Sequence, residues 1–195
     1  MRRDLIAAVV SVVVLTVILG VAYPLVMTGA SQVLFHNKAN GSQIKVDGRV
    51  VGSALLGQDF RGVKRYFQSR PSADSYNPSA TTFANLGPNS AELRDELEQN
   101  AAAYMKLEGP YDPALRRNQV PVDAVTTSAS GLDPLISLDN ADIQAHRVAA
   151  IRHLPLSKVN AMVKQYTDGR DLGVMGDPGV NVLELNLALD RESAQ

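Results

Sequence analysis

The chain has 195 residues, 45% of them hydrophobic and 20% charged, with a formal net charge of −1. That balance leaves no basic footprint for nucleic acid, and the composition is that of a globular rather than a disordered chain. With no cysteine, disulfide frameworks, thiol nucleophiles and cysteine-based zinc sites are excluded together.

Leu5 to Val26 is an almost unbroken apolar run, interrupted by Ser11, Thr16, Tyr23 and Pro24. Roughly 20 helical residues at about 1.5 Å each span a bilayer core of about 30 Å, so the run is long enough to cross once. Arg2 and Arg3 precede it and predict a short cytoplasmic tail over residues 1–4, with everything after Met27 delivered to the other side. A secretory signal competes with this reading, because the start is basic and Thr28-Gly29-Ala30 resembles a weak cleavage site. The run exceeds what a signal needs, which favours an uncleaved anchor over residues 5–26. Tyr23-Pro24 suits a helix exit at the membrane interface. Ser11, Thr16 and Gly20 are small enough to admit a second helix, although such residues are common in any membrane helix.

About 165 residues remain beyond the anchor, enough for one domain with a real core. Residues 27–48 read as a connector, with Asn37, Asn40, Gly41 and Gly48 as turn material. A hairpin is expected over Ile44–Gly52 around Asp47-Gly48, with Ser53 to Phe60 extending its second strand. The outer domain is drawn over residues 49–195. Gly62 to Pro88 is turn-rich and too long for an idle connection.

Asn89 is expected to cap a helix, with Glu92 three residues on, Leu93, Leu97, Tyr104 and Leu107 on one face, and Gly109-Pro110 as the stop. A second loop runs from Tyr111 to Leu138. Ala141 to Leu154 reads as the next helix, ended by Pro155. Ser157 caps a third, whose stripe is Val159, Met162, Val163 and Tyr166 and whose end is followed by Gly169. Leu183, Leu185, Leu187 and Leu189 alternate with Glu184, Asn186, Ala188 and Asp190, which predicts a half-buried strand. Helices and short strands are segregated rather than alternating. The fold class is therefore α+β: one N-terminal transmembrane helix followed by one extracytoplasmic α+β domain.

The motifs of an independent enzyme are missing. There is no phosphate loop, no dinucleotide fingerprint, no His-Glu-x-x-His and no nucleophile elbow. His36, His146 and His153 are not spaced as a metal cluster. Two loop segments remain. In the first, Ser69-Arg70-Pro71-Ser72-Ala73, a guanidinium fork sits beside two hydroxyls, and Pro71 biases Arg70 to an extended backbone. This reads either as an anion or carboxylate clamp or as a structural arginine bonding loop carbonyls or an aspartate. The second runs from Asp123 to Pro134 and crowds Thr126, Thr127, Ser128 and Ser130 around Gly131, with Asp133 close by. It reads as a docking surface or part of a ligand site, or as a turn network satisfying backbone donors.

These segments resemble the C subunit of the Kdp-type bacterial potassium transporter, collinearly and over essentially the whole length. The resemblance rests on Ser69 to Ala73, Val125 to Ser137, Gln144 with Arg147-Val148-Ala149, and Val180 to Asn186. Four departures accompany it. Ala129 stands where the family usually has Gly, Leu135 where it has His, and Gly176-Asp177-Pro178-Gly179 where it reads Gly-Glu-Pro-Arg. Tyr66-Phe67-Gln68 replaces a pattern ending in Trp.

The resemblance implies a non-catalytic subunit of the inner or plasma membrane, with no cofactor of its own. Its implied partners are a potassium-selecting channel-like subunit and a P-type ATPase subunit. The family is described as a catalytic chaperone that raises the ATPase subunit's affinity for ATP. The nearest thing here to a nucleotide signature is Ser128, Ser130 and Gly131 followed by a helical Gln144, yet that run carries no cation. A domain outside the cytoplasm does not meet ATP directly, which favours assembly and stabilisation with an indirect effect on nucleotide. The alternative is a tethered binding module for a small anion, using Arg70 and the hydroxyls of Thr126 to Ser130.

Overall fold

In the structure, a computed structural model that describes residues 1–80, 85–170 and 172–193, the N-terminal apolar run is helical. Helix α1 (Arg2–Val17), a π-helical turn (Ile18–Ala22) and α2 (Tyr23–Leu34) follow without a break. Mean hydropathy reaches 3.0 over its most apolar stretch, none of which is buried. The expected exit at Tyr23-Pro24 does not occur. Pro24 has no N–H for the preceding turn, and the turn widens there, so that the Tyr23 N–H reaches the Ile18 carbonyl. Pro24 then lies in the first turn of α2, where a missing donor costs least. The stretch read as connector from residue 27 therefore begins as helix, and α3 (His36–Ala39) follows it.

Two compact units divide the chain at Ser53/Ala54. The first ends in the hairpin of β1 (Gln43–Val46) and β2 (Arg49–Ser53), paired Val46 to Arg49 and bulged between Ile44 and Lys45. Asp47 and Gly48 both have positive φ, 50° and 77°, the backbone a tight two-residue hairpin turn demands. The second strand stops at Ser53 and does not extend to Phe60.

The second unit is α+β. Its long loop from Gly62 is described except at residues 81–84, so that part of the expectation lies outside the described residues. Helix α4 (Ala91–Glu108) is capped one residue later than expected, by Ser90, whose Oγ accepts from the Leu93 N–H at 3.4 Å. The loop to Leu138 contains a 3-10 turn (Arg117–Gln119), α5 (Val122–Val125) and β3 (Leu135–Ile136). Helix α6 (Leu138–Arg152) ends on His153, left-handed at φ 56°, before Pro155. Helix α7 (Leu156–Gln165) starts directly after Pro155 rather than behind a Ser157 cap, and it stops well short of Gly169. Strand β4 (Thr167–Asp168) follows.

Strand β5 (Gly179–Asn181) lies between β3 and β4, antiparallel to both. The strand expected over Leu183–Leu189 is instead helix α8 (Val182–Ser193). Its Val182, Leu185 and Leu189 recur at helical spacing, with only Leu185 and Leu189 also in the alternation, and all three are buried. The Asn181 Oδ1 accepts from the Glu184 N–H at 3.2 Å, so an Asn-x-x-Glu start turns the chain from strand to helix.

Helix α6 is central. Ala141, Ala145 and Ala149 are small enough for close approach, and with Val148 they pack on Val159 and Val163 of α7 and Leu185 and Leu189 of α8. Ile136 and Val180 of the sheet and Phe67 of the long loop complete this core. Burying each of the valine, leucine, isoleucine and phenylalanine side chains stabilises by about 1.5–3 kcal/mol.

Candidate functional site

Phe67 is fully buried although it lies in no strand or helix, and two side-chain amides explain how. Asn186 of α8 accepts from the Phe67 N–H at 2.8 Å and donates to its carbonyl at 3.0 Å. Gln144 of α6 does the same to Gln68, at 2.7 and 3.1 Å. Arg147, one turn along α6, donates to the carbonyls of Tyr66 at 2.9 Å and Lys64. The backbone from residue 64 to 68 is thus held by side chains in place of a partner strand. Fully buried backbone groups must find such partners.

Beneath this segment, the Arg147 Nε meets both Glu108 oxygens at 3.0 Å. Glu108 caps the inner end of a polar line. Gln144 donates to Asn140 at 2.9 Å, Asn140 donates to Asp123 at 2.9 Å, and the Tyr104 hydroxyl donates to Asn140 at 2.9 Å. Burial pushes the Glu108 carboxyl above its ordinary range, against the opposing pull of Arg147. Burial also raises the Tyr104 hydroxyl strongly and the Tyr76 hydroxyl to about 12.

The two motif loops meet. Arg70 donates to Asp133 at 2.9 Å and to the Thr126 hydroxyl at 3.3 Å, and the Ser128 N–H donates to the Pro71 carbonyl at 3.2 Å. The Arg70 Nε is buried with no partner among the described residues. The Ser69 hydroxyl donates to the Gln58 carbonyl, and the Ser72 hydroxyl donates to Asp74 at 2.6 Å. Gly131, at φ 69°, admits Asp74: a Cβ there would lie 2.5 Å from the carboxylate. Ser130 accepts from the Leu132 N–H and stays at the exposed tip. Ser128, Gln144 and Arg147 are all buried.

Ser69, Ser72, Thr127 and Gln144 line a cavity of about 310 Å³ whose far wall is α4. The candidates do not all converge there, since Arg70, Ser130 and Arg147 are not among its walls. Sequence reasoning missed Glu108, Asn140, Asp123 and Asn186. The bonds Asn140–Asp123, Arg147–Glu108 and Asn186–Phe67 join residues 17, 39 and 119 apart, beyond any local spacing. Among the described residues no three His, Cys, Asp or Glu side chains gather as a metal site.

A family model described as "K+-transporting ATPase, c chain" matches residues 5–191. Proteins named potassium-transporting ATPase KdpC subunit are similar throughout. The one from Mycobacterium tuberculosis is 46% identical over 98% of this chain and 100% of its own length. That of Bradyrhizobium diazoefficiens is 46% identical over 100% of both. That of Koribacter versatilis is 44% identical over 97% of this chain and 95% of its own. A match of this extent, running from the apolar helix through α8, makes the chain a member of the KdpC family.

Proposed function

We propose that this chain is the non-catalytic, single-pass subunit of a potassium-transporting ATPase complex, and that it acts by assembly and stabilisation. The observation that carries the reading is the unburied apolar helix Arg2–Leu34, present in a chain that matches the family end to end. A long apolar helix with none of its residues buried is available to lipid and to the membrane helices of partners. The partners are a channel-like potassium-selecting subunit and a P-type ATPase subunit. Arg2 and Arg3 hold the N-terminus in the cytoplasm, and the α+β domain lies outside.

Any influence on ATP is indirect in this reading. Gln144, the residue nearest to a nucleotide signature, already has both amide groups bonded to Gln68. The Thr126–Asp133 segment brings no cation to phosphates. The anion-module alternative would require Arg70 to leave Asp133.

Purification of the tagged full chain in mild detergent, with mass spectrometry of what accompanies it, tests the reading. Recovery of two large membrane subunits is expected; recovery of the chain alone sinks it. Protease added to spheroplasts should cut the domain after residue 30, and full protection reverses the orientation. Calorimetry of the full chain with ATP and magnesium should give only heat of dilution, and micromolar binding would replace the indirect role with a direct one.

A further inference from the structure

Helix α4 turns a line of five residues at strict four-residue spacing toward the motif loops: Glu92, Glu96, Asn100, Tyr104 and Glu108. The inner three are satisfied within the protein. Asn100 donates to the Val125 carbonyl at 2.9 Å, Tyr104 donates to Asn140, and Glu108 is paired with Arg147. The outer two are not. Glu92 and Glu96 have no hydrogen bond or ion pair among the described residues.

Glu96 is half-buried, and it stands where two cavities of about 310 and 300 Å³ share a wall with Ala73 and Thr127. The remaining charges along the first cavity are cancelled. Arg147 neutralises Glu108, and Arg61 at the opposite wall is bidentate on Asp59 at 2.8 and 2.7 Å. Arg61 also lies over the Tyr76 ring, 5.5 Å from its centroid. What remains on the double cavity is negative charge, from Glu96 at its waist and from Glu92 in the wall of the second cavity. Glu92 lies one turn away on the open side, where like charges four apart disfavour the bare helix.

We infer that this double cavity receives a basic side chain, lysine or arginine, from a partner subunit. The cation pairs with Glu96, and its methylene stem lies between Tyr76, Tyr104 and Leu107 of the cavity wall. Long basic side chains bury their stems in this way. A half-buried carboxylate with no internal partner is where charge complementarity acts most strongly on association. The inference rests on the subunit reading above, since it requires a partner protein.

The test uses the full chain in its membrane complex. Glu96→Lys is compared with Asp95→Lys, an exposed neighbour on the same helix that makes the same change of charge off the cavity. Circular dichroism and melting should match the parent chain for both. Partner recovery should fall roughly tenfold or more for Glu96→Lys, increasingly so at lower salt, and stay near the parent's for Asp95→Lys. Carbodiimide treatment of the parent complex identifies the donor where it is a lysine, as a Glu96 peptide joined to a partner's peptide. Equal recovery for the two variants overturns the inference. So does a Glu96 cross-link to a lipid amine, a small amine or a second copy of this chain. If the parent chain itself recovers no partner, the subunit reading fails and takes this inference with it.

Discussion

The side-chain amide of Gln144 forms both hydrogen bonds of a β-bridge with the main chain of Gln68, accepting at 2.7 Å and donating at 3.1 Å. Asn186 repeats the arrangement one residue earlier, on Phe67. Two helices thereby grip consecutive peptide units of one loop and fix Phe67 in the core. The loop carries the Ser69–Ala73 motif directly onward, so its position is set by α6 and α8 rather than by the loop itself.

Gln144→Ala should therefore cost stability rather than affect a ligand. It strands a partly buried N–H and C=O of Gln68 and removes an acceptor of Arg147 at 3.0 Å. Two unsatisfied groups cost about 2–4 kcal/mol. Denaturant melts of the detergent-solubilised chain should register the loss equally with and without ATP. A stability like the parent's would mean that the loop is held by other contacts.

Arg147 and Glu108 are 0% and 1% exposed, so neither charge can fall back on solvent. Arg147→Met leaves a buried carboxylate without its cation and should destabilise by about 3–5 kcal/mol at neutral pH. Arg147 restrains the upward push that burial exerts on Glu108, so the variant's Glu108 rises further. A carboxyl raised in the folded state binds its proton more readily folded than unfolded. The deficit should accordingly shrink as pH falls and the carboxyl becomes neutral. Adding Glu108→Leu should recover the pH-dependent part of the loss, leaving the cost of the Tyr66 and Lys64 carbonyls that Arg147 had satisfied. Melting temperatures of the two variants at neutral and acid pH decide this, and a deficit independent of pH would rule out the buried charge as its cause.

The parts of this fold that were legible are those with a local period or a local turn. Asp47-Gly48 marked its hairpin, and Val159 and Val163 marked the buried side of α7. An aspartate partner for Arg70 was one of the alternatives its loop left open, and the structure gives Asp133. The end of the first helix was misplaced because a π-turn lets Pro24 stay inside it. Helix α8 was misread because alternating leucines suit a strand as well, and the deciding signal was Asn181 with Glu184, a cap rather than a period. Asn186 was invisible as a site, since its partner Phe67 lies 119 residues away.

Alkaline pH should weaken the domain through its buried phenols. Burial raises Tyr76 from 10.0 to about 12, so above 10 the unfolded chain gives up a proton that the folded chain keeps. The contribution is intact below 10 and is lost as pH rises through the window up to about 12. Burial shifts Tyr104 in the same direction. Tyr76→Phe removes the hydroxyl that donates to the Arg70 carbonyl at 2.6 Å, costing about 1 kcal/mol at neutral pH. It should also flatten the alkaline decline. Denaturation midpoints taken from pH ~8 to ~11.5, with phenolate absorbance followed in parallel, check both effects. Parallel declines for the parent and Tyr76→Phe would mean that Tyr76 ionises freely in the folded state.

Leu135 and Gly179 lie beside each other across the small sheet. A Cβ built on Gly179 would lie 3.0 Å from the Leu135 Cβ and 3.1 Å from its Cδ1. Leu135 therefore occupies the space that a side chain at 179 would need. The backbone of Gly179 is ordinary strand, so Gly179→Ala would by itself gain about 0.4–1 kcal/mol by restricting the unfolded chain. Overpacking against Leu135 costs about 1–3 kcal/mol and outweighs that gain. Gly179→Ala should then destabilise the chain, and in a Leu135→Gly background, which also removes the Cβ that lies nearest, the clash should disappear. A double-mutant cycle read from denaturant midpoints measures the coupling. Additive effects at the two positions would show that Leu135 does not crowd a side chain at 179.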